Sequence, residues 1–450
     1  MRKIHEIYDF SSKRIQKPKT IPTSFQKETK KVVLVALELS NHRRWQTLES
    51  LQELKLLAES AGFTVDKHII NKREVPSPSY CIGSGSVDSL HEYCKANDIH
   101  SVIFDDDLTP AQMKNISAKL DDVIVIDRTE IIIDIFAARA RTKEGKLQIE
   151  LARLEYMLPR LTRQWTHLVR QEGMTGGAVG VRGPGEKQLE MDRRQIRERI
   201  HSIKKELKLV ETYRSTQRKR RKRHNIPVIA LIGYTNSGKS TLLNKLTDSH
   251  VMVADKLFAT LDPTARRFVL PNNQPILLID TVGFINKLPH QLVDAFKATL
   301  EEVRQADLLI HVLDVSDDKA EDRLKVVTKV LKELSAHEKK VVTVLNKIDC
   351  LISQDGLLHL ERETMPCVPI SAKTGQNLER LFEVLSEQTR DYRTFGRLFI
   401  PYSHHSLIGK IYENGNIRKQ KNCDTGVYLE AEYDRVLDGL LESFIVKKSV

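Results

Sequence analysis

The sequence predicts an α/β protein of four successive units: a small parallel α/β domain, a helical hairpin, a P-loop nucleotide-binding domain, and a small α+β domain at the C-terminus. Three observations carry this expectation. Short β-rich runs alternate with amphipathic stretches from about Lys31. Two helical seams repeat at three- and four-residue spacing between positions 147 and 210. A strand-like "IPVIALI" runs into "GYTNSGKST" and then a helical "LLNKL". The expected boundaries are 1–137, 138–224, 225–390 and 391–450.

Length and composition fit this plan. At 450 residues the chain exceeds one typical core. Its 40% hydrophobic and 29% charged residues are ordinary for globular protein. A net charge of +12 favours an anionic partner, nucleic acid or a membrane surface. The five cysteines are scattered without a C-x-x-C pair, which suits a reducing cytoplasm and gives no support for zinc. The N-terminal "MRKIHEIYDFSSKRIQK" has no apolar core and does not read as a secretory signal. No apolar run reaches the roughly 18 residues of a membrane span, so any membrane contact would be weak and peripheral.

In the first unit, "VVLVALE", "TVDKHII", "SVIF" and "VIVID" read as strands, separated by helices at Arg43–Ala61, Val87–Ala96 and Pro110–Leu120. Its Gly83-Ser84-Gly85 is a weak dinucleotide signal and fits a tight turn with a helix cap better. Asp105, Asp106 and Asp107 in "FDDDL" read as a solvated strand end with a capping acid, with cation binding as the alternative.

In the second unit, Leu147, Leu151, Leu154, Leu158 and Leu161 form one seam, with Pro159 kinking or ending that helix. Leu189, Ile196, Ile200, Ile203, Leu207 and Val210 form the other. Between them, "EGMTGGAVGVRGPGE" is longer than a hairpin turn needs. It is either a disordered tip or a loop that orders on a partner such as RNA. The second arm ends in six consecutive basic residues, Arg218 to Arg223, suited to phosphate or to a solvated helix end.

The third unit holds the chemistry. Gly233, Tyr234, Thr235, Asn236, Ser237, Gly238, Lys239, Ser240 and Thr241 match G-x-x-x-x-G-K-[ST]. The glycines let backbone N–H groups face phosphates, Lys239 reaches the β and γ phosphates, and Ser240 is a ligand for Mg²⁺. Asn346, Lys347, Ile348 and Asp349 form N-K-x-D, in which the Asp349 carboxylate accepts two N–H donors of a guanine edge. Ser371, Ala372 and Lys373 follow another short strand and suit a backbone contact to the guanine carbonyl.

Between these, "LFATLDPTARR" contributes Phe258, Ala259, Thr260, Leu261 and Asp262. Thr260 is the expected mobile Mg²⁺ ligand, with Thr264 as the weaker choice. Asp280, Thr281, Val282 and Gly283 complete the set: Asp280 holds a magnesium-bound water, and the Gly283 N–H meets the γ-phosphate. Motifs in this order predict a GTP- and GDP-binding GTPase. Phe284 stands where many such proteins carry the glutamine that orients the attacking water, so slow intrinsic hydrolysis is expected. At Asn236 the chain resembles potassium-activated GTPases such as MnmE, which implies K⁺ as one source of the missing charge. A large partner that orders the Thr260 segment is the other.

The segments "VIFDDDLTPAQMKN", "IDRTEIIIDIFAARARTKEGKLQIELARLEYMLPRLTR", "VGVRGPGEKQLEMDRRQIRERI" and "GYTNSGKSTL" resemble the HflX family over residues 30 to 390. That resemblance implies a GTPase whose first two units bind the large ribosomal subunit, with the Gly-rich tip near ribosomal RNA. The chain is expected to be a monomer, in the cytoplasm or partly at the membrane. It implies that the GTP form promotes ribosome dissociation under stress. Family members are also described as hydrolysing ATP through the N-terminal region, but this chain has serine at 84 and 86 where lysine is usual. It also has Lys187 where threonine is usual. A membrane-peripheral switch and an ATP-driven RNA remodeller are the rival readings.

The tail reads as strand, helix and two strands, a docking or regulatory unit. His404 and His405, adjacent on an expected strand, would point apart and hold no metal.

Overall fold

The computed structural model describes residues 30–40, 44–163, 184–223, 225–247, 258, 264–287, 297–317, 319–351, 359–362, 364 and 366–446. The Gly-rich tip before Pro184, the N-terminal 29 residues and Ala259, Thr260, Leu261 and Asp262 lie outside them. For the basic run at 218–223 only the helix backbone is described.

The first unit is a four-stranded, all-parallel sheet in the order β2-β1-β3-β4. Its strands are β1 (Lys30–Leu39), β2 (Phe63–Arg73), β3 (Ser101–Phe104) and β4 (Ile124–Asp127). The connecting helices are α1 (Arg44–Ser60), α2 (Ser84–Ala96) and α3 (Pro110–Leu120). Val32, Val33, Leu34 and Val35 are fully buried, as expected for a parallel strand covered on both faces. Helix α2 begins three residues earlier than the periodicity suggested. Gly83 caps it at φ 102°, a conformation that an L side chain rarely adopts, and an added Cβ would also strike the Arg73 guanidinium. Thr109 and Gln112 form a reciprocal capping box at α3.

Helix α4 (Arg128–Arg139) leads into α5 (Lys143–Met157), which ends just before Pro159 in a short 3₁₀ turn. Helix α6 (Pro184–Arg223) returns along it. Leu147, Leu151 and Ile203 bury the seam between these arms, with Leu154, Ile200 and Leu207 half-buried beside them. Arg199 makes a two-pronged ion pair to Glu150 across it.

Where the arm joins the sheet, the Tyr156 hydroxyl contacts both Asp127 and Glu130, at 2.9 and 3.3 Å. Burial, reinforced by Asp127 and Asp134, pushes the Glu130 carboxyl up to about 8. The folded protein therefore binds a proton that the unfolded chain releases near its ordinary value of 4.5. This stability is fully present below that value and is lost as pH rises toward 8. Glu130→Gln should accordingly raise the thermal midpoint relative to wild type at pH 9 and leave the difference small near pH 5. Scanning calorimetry at the two pH values checks this.

The third unit is a six-stranded sheet in the order β10-β9-β8-β5-β7-β6, parallel except for the edge strand β6. Its strands are β5 (Val228–Ile232), β6 (Thr264–Val269), β7 (Pro275–Asp280), β8 (Leu308–Asp314), β9 (Lys340–Asn346) and β10 (Cys367–Pro369). Helices α7 (Lys239–Thr247), α8 (Lys297–Gln305), α9 (Ala320–Glu333) and α10 (Leu378–Gln388) pack around it. After β5 the chain adds β7 and β6 on one side of it and then β8, β9 and β10 on the other, so strand order reverses at β5, and the crevice at its carboxyl end is where an open α/β sheet binds its ligand.

The last unit is an antiparallel sheet in the order β11-β13-β12, from β11 (Arg393–Pro401), β12 (Gly415–Cys423) and β13 (Gly426–Asp434), with α11 (His405–Asn414) following β11. Strand, helix and two strands are as expected, with one correction. His404 closes a 3₁₀ turn and His405 opens α11, so neither is on a strand. Strand β11 ends at Pro401, the 3₁₀ turn spans Tyr402–His404, and the helix begins at His405. No helix among the described residues is long and apolar enough to cross a membrane.

Candidate functional site

Residues Gly233 to Gly238 turn tightly between β5 and α7. Gly233 (φ 148°) and Gly238 (φ 95°) occupy backbone regions closed to most side chains, and Asn236 is left-handed at φ 60° and exposed. A Cβ on Gly233 would lie 2.3 Å from the Val312 carbonyl, and one on Gly238 would lie 2.3 Å from Asn346 Nδ2. Both glycines are therefore required by close approach as well as by φ.

Lys239, buried at 6% exposure, donates to the carbonyls of Gly233 (3.1 Å) and Tyr234 (2.7 Å). Burial lowers its ammonium to about 8, and Asp280 partly opposes that shift. Ser240 donates to Asp280 Oδ2 at 2.7 Å. Thr281 Oγ1 donates to Leu231 O at 2.6 Å, tying the end of β7 to β5. Two backbone bonds, Thr235 N to Phe284 O (2.8 Å) and Phe284 N to Gly233 O (3.0 Å), zip the segment after Asp280 onto the P-loop. A Cβ on Gly283 would fall 2.9 Å from Thr235 Cα and 3.0 Å from Lys239 Nζ. Gly283 thus rests against the lysine, with Val282 and Phe284 buried on either side.

The other wall comes from the ends of β9 and β10. Asn346 Nδ2 donates to Ser237 O (2.8 Å), and its Oδ1 accepts from Ala372 N (2.9 Å), joining the P-loop to the Ser371 loop. Lys347 is left-handed at φ 69° and pairs with Asp314 at 2.5 Å. Asp349 sits exposed in a 3₁₀ turn, its carboxyl lowered by a hydrogen bond from Ser371. The exposed Asp349 carboxylate thus sits beside the buried Ser371 and Ala372 and the exposed Lys373. If it meets a guanine edge there, Asp349→Ala should weaken GTP binding about 10- to 100-fold, the value of a charge-assisted pair, without improving ATP binding. Competition with labelled GDP measures both.

Phe258 is 2% exposed and packs edge-on against Phe136 of α4 at 4.5 Å, so its ring is a core contact between units. Thr264 begins β6, paired opposite Asp280. Thr241 and Ile348 are half-buried beside their motif partners.

The acidic run after β3 differs from its expected role. Asp105 is 1% exposed, so the solvated strand end is incorrect. Burial opposes its ionisation, but Arg128 and Lys287 beside it hold the carboxyl below its ordinary value. Arg128, 1% exposed, donates to Asp105 Oδ1 (2.7 Å), Glu53 Oε2 (2.5 Å) and Asn286 O (3.1 Å). Lys287 reaches Asp105 and Asp106 at 2.6 and 2.9 Å. Thr129 Oγ1 donates to Asp107 at 2.5 Å. Only the run of three acids hinted at this network; its cations come from 23 and 182 residues further along the chain.

For a nucleotide-associated metal, the Ser240 hydroxyl and the fully buried Asp280 carboxylate are hard oxygens 2.7 Å apart, and they fit a Mg²⁺ that Ser240 would bind directly and Asp280 through a water, the remaining ligands coming from phosphate and water. Among the described residues no cluster of three or more His, Cys, Asp or Glu could cage a metal alone.

Known proteins resemble this chain along most of its length. Family models described as "GTP-binding GTPase N-terminal", "GTP-binding GTPase Middle Region" and "50S ribosome-binding GTPase" match residues 48–137, 139–221 and 228–347. The GTPase HflX of Caldanaerobacter subterraneus subsp. tengcongensis is 43% identical over 88% of this chain and 90% of its own length. That of Escherichia coli K12 is 44% identical over 83% and 87%. A GTP-binding protein from Sulfolobus solfataricus, solved with GDP, is 28% identical over 81% of this chain and 99% of its own, with a TM-score of 0.42.

Proposed function

The chain belongs to the HflX family of GTPases, and from that premise we propose that it is a GTP-driven switch acting on the large ribosomal subunit. It binds and hydrolyses GTP, and the GTPase fold implies a nucleotide-associated metal. The observation that carries the reading is the join between Gly283 and the P-loop. A γ-phosphate bound at Lys239 lies where it must move or hold the Gly283 segment, so that nucleotide state becomes backbone position. In this reading the cytoplasmic chain acts as a monomer. Its GTP form binds the large subunit and its RNA through the α5–α6 arm and the tip beyond it, and promotes dissociation or rescue of ribosomes under stress.

Within the site, the glycine-rich turn presents N–H groups to the phosphates and Lys239 supplies charge at the β and γ positions. Ser240 and Asp280 would hold Mg²⁺, which when bound neutralises charge on the phosphate oxygens. Asp349, Ser371 and Ala372 select guanine, and Asn346 fixes the distance between base and phosphate walls. Phe284 orients no water. Turnover is therefore slow until a group from outside the motif completes the site, either K⁺ at the exposed, left-handed Asn236 or the ribosome ordering the Thr260 segment.

The test is co-sedimentation with large subunits in a non-hydrolysable GTP analogue and in GDP, at several salt concentrations. Stronger pelleting with the analogue supports the switch, and equal pelleting in both nucleotides overturns it. Vesicle binding that survives added RNA would favour the membrane-peripheral reading instead.

A further inference from the structure

The P-loop tyrosine joins the GTP site to the N-terminal sheet. The Tyr234 hydroxyl donates to Glu53 of α1 at 2.5 Å and accepts from the backbone N–H of Asn286 at 2.8 Å. Asn286 lies three residues past Gly283, and its carbonyl accepts from Arg128 at the start of α4. Both backbone polar atoms of one residue are thus held by groups belonging to, or bonded to, the N-terminal unit. Lys287 adds a third tie through Asp105 and Asp106. These charges are largely removed from water: Arg128 is 1% exposed, Asp105 1% and Glu53 9%. Such a network is costly to disturb at a single member. Upstream of it, Phe284 is already zipped to the P-loop, so the segment from Gly283 to Lys287 is fixed at both ends.

In this arrangement Gly283 lies on Lys239, close enough that a Cβ would sit 3.0 Å from the ammonium. A γ-phosphate needs room between that ammonium and the Gly283 N–H, whereas a diphosphate does not. We propose that Glu53 and Arg128 are positioning residues of the GTP site: acting through Tyr234 and Asn286, they hold the Gly283 segment against Lys239 and bias the protein toward GDP. Helix α4 also carries Asp134, which is bonded to Arg153 of α5 at 2.8 Å. Displacement of the helical arm would therefore pull on the residue that holds Asn286. This last link rests on the ribosomal reading above; the positioning role does not.

The experiment uses the full chain without ribosomes. Affinities for GDP and a non-hydrolysable GTP analogue are measured with Mg²⁺ for wild type, Tyr234→Phe, Glu53→Gln and Lys319→Ala. Lys319 pairs with Glu49 at 3.4 Å across the same interface but touches neither Tyr234 nor Asn286, so its loss reports general loosening. Tyr234→Phe and Glu53→Gln should each shift the analogue-to-GDP affinity ratio at least about fivefold toward the analogue, the lower end of ordinary allosteric coupling. Lys319→Ala should stay within about twofold, below that range.

A wild-type ratio in folded Tyr234→Phe overturns the proposal, as does a shift confined to Tyr234→Phe or an equal shift in Lys319→Ala. If Glu53→Gln does not fold, Lys287→Gln, at a partly exposed site, takes its place with the same expectation. Because the ratio is read without ribosomes, failure to sediment with large subunits would remove the ribosomal reading and leave this result standing.

Discussion

Lys239→Ala should reduce GTP turnover by about two to three orders of magnitude, the usual effect of deleting one preorganised charged donor from a phosphoryl-transfer site. The ammonium is enclosed and already satisfied by two carbonyls, so the site holds it in place without nucleotide. Its loss leaves the Gly233 and Tyr234 carbonyls facing incoming phosphate with nothing to offset them. Both kcat and GDP affinity should fall, since the β-phosphate contact disappears along with the γ. Wild type supplies an independent check. Burial lowers this group to about 8, so GDP affinity should hold below that pH and decline as pH rises past it and the ammonium loses its proton. In Lys239→Ala that decline should be absent. Unchanged single-turnover hydrolysis in the variant would place the chemistry elsewhere.

Much of this site was legible because its signals are local. The P-loop, N-K-x-D and the Ser371 loop each follow a strand within a few residues, and the structure places all three at the carboxyl edge of one sheet. The seams of α5 and α6 were legible for the same reason, since helical period is a short-range property. What the residues did not disclose is non-local. Nothing near Asp105 announces that Arg128 and Lys287 will enclose it, so a buried acid looked like a solvated one. Tyr234 occupies a variable position of its motif, and its hydroxyl acquires a role only when Glu53, 181 residues earlier, is folded against it. Asn286 shows no side-chain signal at all, because the network uses its backbone.

Phe284 shows how this limit bears on mechanism. From its place after Asp280-Thr281-Val282-Gly283, the residue looked like a substitution at the water-orienting position. The structure gives it a packing role: it is 2% exposed and belongs to the core in which α4, Phe258 and the strands of the GTPase sheet meet. Phe284→Gln would remove a buried ring and place an amide where apolar neighbours offer it no partner. A cost of about 3–5 kcal/mol follows from the lost packing, with the unpaired amide adding to it. The backbone at 284 cannot easily swing the new side chain toward the phosphates, because its N–H and carbonyl are both bonded to the P-loop. The expected result is a lower denaturant midpoint with intrinsic GTP turnover no faster than wild type. Phe284→Leu, which keeps the position apolar, should retain most of the stability and the same turnover. A stable Phe284→Gln protein with fast hydrolysis without ribosomes would show that this side chain alone limits the chemistry, and the partner-dependent account of the site would be wrong.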